Sequence, residues 1–262
     1  MIRFRTFIIG GTLALAVFLF AQRKAPVTMP SPYAAVIDLT HTINQKAPNW
    51  EGTEKSPFQP EVNGTYEKDG YFSRKFSTDE HFGTHMDAPA HFSRGRWTVD
   101  QIPTERLVRP LVVLDVSAKA RENADYLVTV NDIGDWEQIN GQIAPGAVVI
   151  ARTGWSEKWK SPKDFRNADA SNVPHFPAYS MDAARFLVQA RQVVAIGIDT
   201  LSIDPGPSKD FPVHKFTSAQ SVYALENVDA SRAPEVGATI IVSPTKIEGG
   251  SGAPVRLLAL VQ

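Results

Sequence analysis

Residues 80–92 read EHFGTHMDAPAHF, placing His81, His85 and His91, three of the chain's six histidines, around Asp87. In an extended chain, successive side chains alternate between two faces. All four residues carry odd numbers, so a strand through this stretch turns them to one side. A continuous helix fits less well, because Pro89 has no backbone N–H to donate. Gly83 and Pro89 mark places where the backbone bends.

Neutral imidazole and carboxylate are ligands for a borderline divalent ion. The chain contains no cysteine, so any metal must be held by nitrogen and oxygen. The spacing His-x3-His-x-Asp offers three ligands, His81, His85 and Asp87, and leaves coordination positions open, as in catalytic rather than structural sites. An ion held this way lowers the pKa of water from 15.7 to about 7. His91, four residues past Asp87, reads as a further ligand or as the group that handles the proton. The isolated His41 and His175 read as ordinary hydrogen-bonded residues.

The remainder of the chain has the composition of a packed protein. Its 262 residues are 43% hydrophobic and 21% charged. A formal charge of −1 gives no reason to expect nucleic acid or an anionic membrane surface as partner. The N-terminus is a separate object: Arg3 and Arg5 precede an apolar run over residues 7–21. That run is short of the roughly 20 residues a spanning helix needs and fits a secretory signal. Ala21 suits the position before a cleavage, but Leu19 does not suit the position two places upstream, so a retained anchor stays open. Residues 1–29 are therefore expected to be a signal peptide or membrane anchor. Residues 30–262 are expected to form one domain that is exported, either periplasmic or anchored facing outward.

Apolar runs with strand character occur at AAVIDLT (34–40), LVVLDV (111–116), AVVIAR (147–152), VVAIGID (193–199), ATIIVS (238–243) and VRLLALV (255–261). SMDAARFLVQARQ (180–192) has helical spacing, with Ser180 as N-cap. VHKFTSAQSVYAL (213–225) is a second helix candidate. Proline-rich loops over 161–179 and 204–212 stand where a pocket would be lined. The pattern predicts a single mixed α/β domain.

The segment HFGTHMDAPAH (81–91) matches the H-x-G-T-H-x-D-x-P-x-H signature of the cyclase family of metal-dependent hydrolases, which includes bacterial kynurenine formamidases and isatin hydrolases. IDLTHTI (37–43) and PNWEG (48–52) resemble the family's opening strand and first pocket loop. GIDTLSID (197–204), HKF (214–216), LEN (225–227) and PTKIEGGSGAPVRLLAL (244–260) resemble its C-terminal half in order. The resemblance covers residues 35–262.

The resemblance implies a swivelling β/β/α barrel that assembles as a dimer or larger. It implies one or two ions, zinc first and manganese as alternative. His81, His85 and Asp87 would be ligands, Asp87 bridging, with His214 and Glu226 on the second ion and His91 catalytic. The implied reaction is hydrolysis of a small aryl N-formyl compound or a cyclic amide, first as an arylformamidase and alternatively as an isatin-type ring opening. Without the resemblance, His214 and Glu226 read as solvated surface residues. On an unbroken helix their twelve-residue separation is a rotation of about 120°, so they meet at one ion only if Glu226 lies past the helix end.

Trp50, Trp155 and Thr200 are candidate substrate contacts. Packing competes for both tryptophans and for Trp159, and turn-making competes for Asp199 and Thr200. A metal-binding protein with no hydrolytic role would keep His81, His85 and Asp87 and could dispense with His91.

Overall fold

All six apolar runs form strands in the computed structural model, which describes residues 32–53 and 55–262. The signal or anchor expected over residues 1–29 lies outside the described residues. The strands are β1 (Ala35–Asp38), β2 (Gln59–Gly64), β3 (Ser73–Ser77), β4 (His85–Asp87), β5 (Val108–Asp115), β6 (Leu127–Val128), β7 (Val148–Arg152), β8 (Ala178–Tyr179), β9 (Ala195–Ile198), β10 (Tyr223–Glu226), β11 (Ala238–Pro244) and β12 (Gly252–Val261). The helices are α1 (Tyr66–Asp69), α2 (Ser117–Glu122), α3 (Val130–Asn140), α4 (Pro162–Arg166), α5 (Met181–Arg185) and α6 (Pro212–Ala219).

Strands β12, β11, β5, β7, β9, β10 and β4 pair in that order, and β4 pairs back to β12. This closes a seven-stranded barrel, with β1 attached to the outer edge of β12. Closure leaves the seven strands no free edge. Strands β5, β7, β9 and β10 run parallel, and the remaining pairings of the barrel are antiparallel. The α/β barrel implied by the resemblance is the observed fold.

Alternation along each strand sorts side chains between two cores. Leu111 and Val113, Val148 and Ile150, Tyr223 and Leu225, and Leu257 and Ala259 share one cluster inside the barrel. Their neighbours Val112, Leu114, Val149, Ala151, Ile196 and Ile198 face outward and pack under Ile133 and Trp136 of α3 and Ala183 and Ala184 of α5. A smaller cluster of Phe82, Trp155, Trp159, Phe165, Phe176 and Leu201 lies nearer the histidine segment.

The helices differ from expectation in two places. Ser180 does cap α5, its hydroxyl accepting from Ala183 N at 3.1 Å. The helix does not continue to residue 192 as a regular α-helix. It widens to a π-turn from Phe186 to Ala190, where Arg191 N donates to Phe186 O at 3.2 Å. The second candidate is divided: α6 stops at Ala219, Ser221 takes a left-handed φ of 57°, and Tyr223, Ala224 and Leu225 enter the sheet. Pairing of β10 to both β9 and β4 overrides helix propensity there. Helix α3 has its start written as a capping box, Thr129 with Asp132, and sequence periodicity alone passed over it. Among the described residues no helix is long and apolar enough to cross a membrane.

Ile196 is fully buried on β9, whereas Ile139 on α3 is 83% exposed. Ile196→Ala should lower the unfolding free energy by about 2–5 kcal/mol. Ile139→Ala should stay within about 0.5 kcal/mol of the parent. Urea denaturation of both variants checks the assignment of the outer core.

Candidate metal centre

The short strand β4 buries Met86 inside the barrel and so turns His85 and Asp87 to its outer face. On β10 the same alternation buries Leu225 and turns Glu226 outward. The antiparallel register sets Glu226 directly opposite His85. The single strand expected to carry all four histidine-segment residues is thus only three residues long. Gly83 (φ 71°) turns the chain before it, and His91 closes the 3-10 turn Pro89–His91 after it. The residues still converge, through two bends rather than one register.

Asp87 sits at the middle. Its Oδ1 lies 2.6 Å from His81 Nδ1 and 3.2 Å from His85 Nε2, while its Oδ2 lies 3.1 Å from His214 Nε2. Glu226 places Oε1 3.0 Å from His214 Nε2 and Oε2 3.4 Å from His85 Nε2. His214 is on α6 and Glu226 ends β10, past the helix end, which is the condition their spacing required. Two donor sets result, His81/His85/Asp87 and Asp87/His214/Glu226, each with ligand atoms within 4.8 Å of one another. They share Asp87.

The hydrogen bonds behind the cluster determine which ring nitrogen is free. His85 Nδ1 donates to the Gly83 carbonyl at 2.9 Å, and His214 Nδ1 donates to Asp204 at 2.7 Å. Ser251 donates its hydroxyl to Glu80 at 2.7 Å and therefore accepts from His81 Nε2 at 2.9 Å. Each imidazole is left with one nitrogen facing Asp87 or Glu226, which carries a proton there or, deprotonated, offers a lone pair to a metal. Such outer partners fix tautomer and ring orientation in metal sites. Gly252 makes room for this arrangement, since a Cβ there would come within 2.4 Å of His81 Cε1.

The electrostatics also call for a cation. Burial alone pulls the His85 imidazole down, but hydrogen bonds and charge from Asp87 and Glu226 outweigh it and raise its pKa to about 10. Burial likewise opposes charge on His214, yet Asp204, Asp87 and Glu226 hold it well above the ordinary histidine value. Asp87, despite burial, is held well below the usual carboxylate range by His214, His81 and His85. Two buried carboxylates keep their charge only with positive charge beside them, a proton or a metal ion. His91 differs: burial, together with the neighbouring His81 and His214, lowers its pKa against the pull of Asp87 and Glu226. Its ring stacks on His81 at 3.9 Å, facing the same cavity.

That cavity has a volume of about 400 Å³. Phe92, Phe211 and Trp50 wall it, with Phe92 4.7 Å from the His214 ring and Trp50 6.0 Å from Phe211. Phe211 holds a left-handed φ of 47°, a strained conformation for a bulky residue, immediately before α6. Trp50, a candidate substrate contact, lines the cavity. Trp155 and Thr200, by contrast, do not line the cavity. Trp155 is buried among aromatic neighbours and donates its indole N–H to Phe165 O at 2.6 Å. Thr200 is buried with its hydroxyl 3.0 Å from the Pro177 carbonyl, and the next residues, Leu201 and Ser202, reach the cavity instead. Trp159 stacks on His41 at 4.2 Å, and His175 pairs with Asp125 at 2.8 Å, so both isolated histidines lie outside the cluster.

Sequence reasoning passed over Asp204, ten residues before His214. Its Oδ1 accepts from Val213 N and its Oδ2 from His214 N, each at 2.9 Å. One carboxylate thus caps α6 and orients the His214 ring, across a loop with no local capping pattern.

A closed α/β barrel bearing a carboxylate-linked histidine cluster beside an open cavity has the architecture of a metal-dependent hydrolase. The family model Cyclase, described as "Putative cyclase", matches residues 37–205, and the chain belongs to this cyclase family of metal-dependent hydrolases. It is 33% identical to an isatin hydrolase of Roseibium aggregatum over 207 residues, 75% of this chain and 78% of the relative. It is 27% identical to a kynurenine formamidase of Bacillus cereus over 84% of this chain and 94% of the relative. The solved structure of isatin hydrolase A from Ralstonia solanacearum superposes with a TM-score of 0.81 at 36% identity, covering 87% of this chain and 92% of that one.

Asp204→Asn removes the negative charge beside His214 Nδ1 and turns one of the two oxygens that accept from Val213 N and His214 into a donor. Its affinity for zinc or manganese should fall about 10–100-fold, while His175→Ala binds like the parent. Isothermal titration of chelator-stripped protein with each metal measures both.

Proposed function

We propose that the chain hydrolyses the carbon–nitrogen bond of a small, uncharged aromatic amide, with an isatin-type cyclic amide ahead of an aryl N-formyl compound. The observation that carries this reading is the donor cluster opening on an aromatic-walled cavity in which no lysine or arginine stands among the lining residues. Glu51 and Asp79 are the acids at that cavity outside the cluster. N-formylkynurenine is an amino acid, and its carboxylate finds no counter-charge there. A neutral ring needs none. Charge therefore reverses the order of substrates suggested by the sequence.

His81, His85 and Asp87 would hold one ion, and Asp87, His214 and Glu226 a second. The nitrogen and oxygen donors suit zinc, with manganese as alternative. When bound, the metal supplies Lewis acidity at the amide carbonyl and an acidified water. The side chains do the rest. Trp50, Phe92 and Phe211 hold the planar substrate with its carbonyl toward the cluster. His91, neutral because its pKa is depressed, takes the proton from the attacking water. Water oxygen joins the carbonyl carbon, the C–N bond breaks, and His91 returns the proton to the departing nitrogen. The products are an amine and a carboxylate, which for a cyclic amide remain one molecule.

Two further parts of this reading rest on other support. The N-terminal sequence supports action outside the cytoplasm, as a periplasmic or outward-facing anchored protein. Assembly as a homodimer or larger is supported by the exposed apolar side chains Val62, Phe72 and Phe76 of the β2–β3 hairpin.

Isatin should be opened by the metal-loaded protein, faster than N-formylkynurenine is cleaved, and a chelator should abolish turnover. His91→Ala should retain metal while kcat falls about 10²–10⁴-fold. Turnover of the variant at the parental rate would remove His91 from the reaction. Metal binding without turnover of isatin, N-formylkynurenine or a panel of aryl lactams would instead favour a non-catalytic metal-binding protein.

A further inference from the structure

The loop bearing Trp50 has a second side. Trp50 and Glu51 face the metal-centre cavity, whereas Lys46, Gly52 and Thr53 face another cleft of about 560 Å³, and Asn49 touches both. The far wall of this cleft carries Lys160, Lys163 and Arg166, and no carboxylate lines it among the described residues. In a chain with 28 acids and 27 lysines and arginines, four cations gathered without an acid run against composition.

Arg166 makes the cleft more than a group of surface lysines. It is only 8% exposed, and buried arginines are normally paired. Among the described residues its hydrogen bonds go to neutral acceptors: Nε to the Trp50 carbonyl at 2.9 Å, and the two terminal nitrogens to Asn172 Oδ1 at 2.7 Å and Asn172 O at 3.0 Å. Among the described residues no carboxylate lies within 4.0 Å of Arg166, Lys46, Lys160 or Lys163. A guanidinium carries five N–H groups and cannot lose its charge, so two donors and a full positive charge remain. The approach is close: a Cβ on Gly52 would stand 2.7 Å from Arg166 Nε.

We propose that this cleft is a second ligand site, separate from the metal centre, for a small oxyanion. Arg166 supplies the buried charge, and Lys46, Lys160 and Lys163 supply the mobile ones. The ligand's negative oxygen completes the pairing that the acids among the described residues leave open. Because the same guanidinium holds the Trp50 carbonyl, an occupant of this cleft bears on the loop that walls the catalytic cavity. The proposal does not depend on which amide is cleaved.

The test titrates the metal-loaded full chain with sodium sulfate and, separately, sodium benzoate at constant ionic strength, followed by calorimetry. The same titrations are run on the surface variant Lys160→Glu/Lys163→Glu, with melting temperature and metal content measured alongside. At least one anion should saturate a single site per chain, with affinity reduced about tenfold or more in the double variant, and melting temperature and metal content unchanged. Preference for sulfate identifies an inorganic type of ligand, and preference for benzoate an organic carboxylate. The proposal is overturned if neither anion saturates, or if the double variant binds as tightly as the parent, since the anion then sits elsewhere.

Discussion

One carboxylate with its two oxygens turned to different imidazoles organises this molecule. Asp87 faces His81 and His85 with one oxygen and His214 with the other, although these groups come from a turn, a strand and a distant helix. It can do so because β4 closes the barrel between β10 and β12. That closure brings residues 85–87 beside residues 224–226 and 252–254. Burying such a charge without partners costs several kcal/mol, so the fold must deliver every partner together. The cluster therefore depends on the topology, and the local sequence alone does not make it.

Around Asp87 lies an outer ring of acceptors behind the histidines. Gly83 O, Asp204 and Ser251 each engage the outward nitrogen of one histidine. Their effect is to aim three ring nitrogens at the carboxylates ahead of any ion. Pre-set donors of this kind lose little conformational freedom on binding. The aromatic wall is fixed by similar means, with Phe211 strained ahead of α6 and Trp50 held from behind through its carbonyl by Arg166.

Much of this was legible in the sequence, for identifiable reasons. Six of the twelve described strands were readable because their apolar runs survive into the two barrel cores. His81, His85, Asp87 and His91 were readable because they lie within one short segment. His214 and Glu226 were readable only by resemblance, since separation by a helix end and a turn leaves no local pattern. The helix expected over 213–225 forms only to Ala219, because pairing between strands far apart in sequence decided the state of Tyr223, Ala224 and Leu225. Trp155 and Thr200 illustrate the opposite limit. Residue type and position at a strand end suggested the site, but each satisfies its polar group inside the core. Asp204 acts across ten residues of proline-rich loop, a distance at which sequence spacing carries no geometry.

The central claim is that Asp87 lies between divalent ions held by the histidine cluster. Anomalous diffraction from crystals grown with zinc or manganese, collected on either side of the metal's absorption edge, addresses it directly. The account predicts scattering peaks at Asp87, one on the His81/His85 side and one on the His214/Glu226 side. Ordered metal bound elsewhere, with no peak at Asp87 under saturating ion, would contradict it.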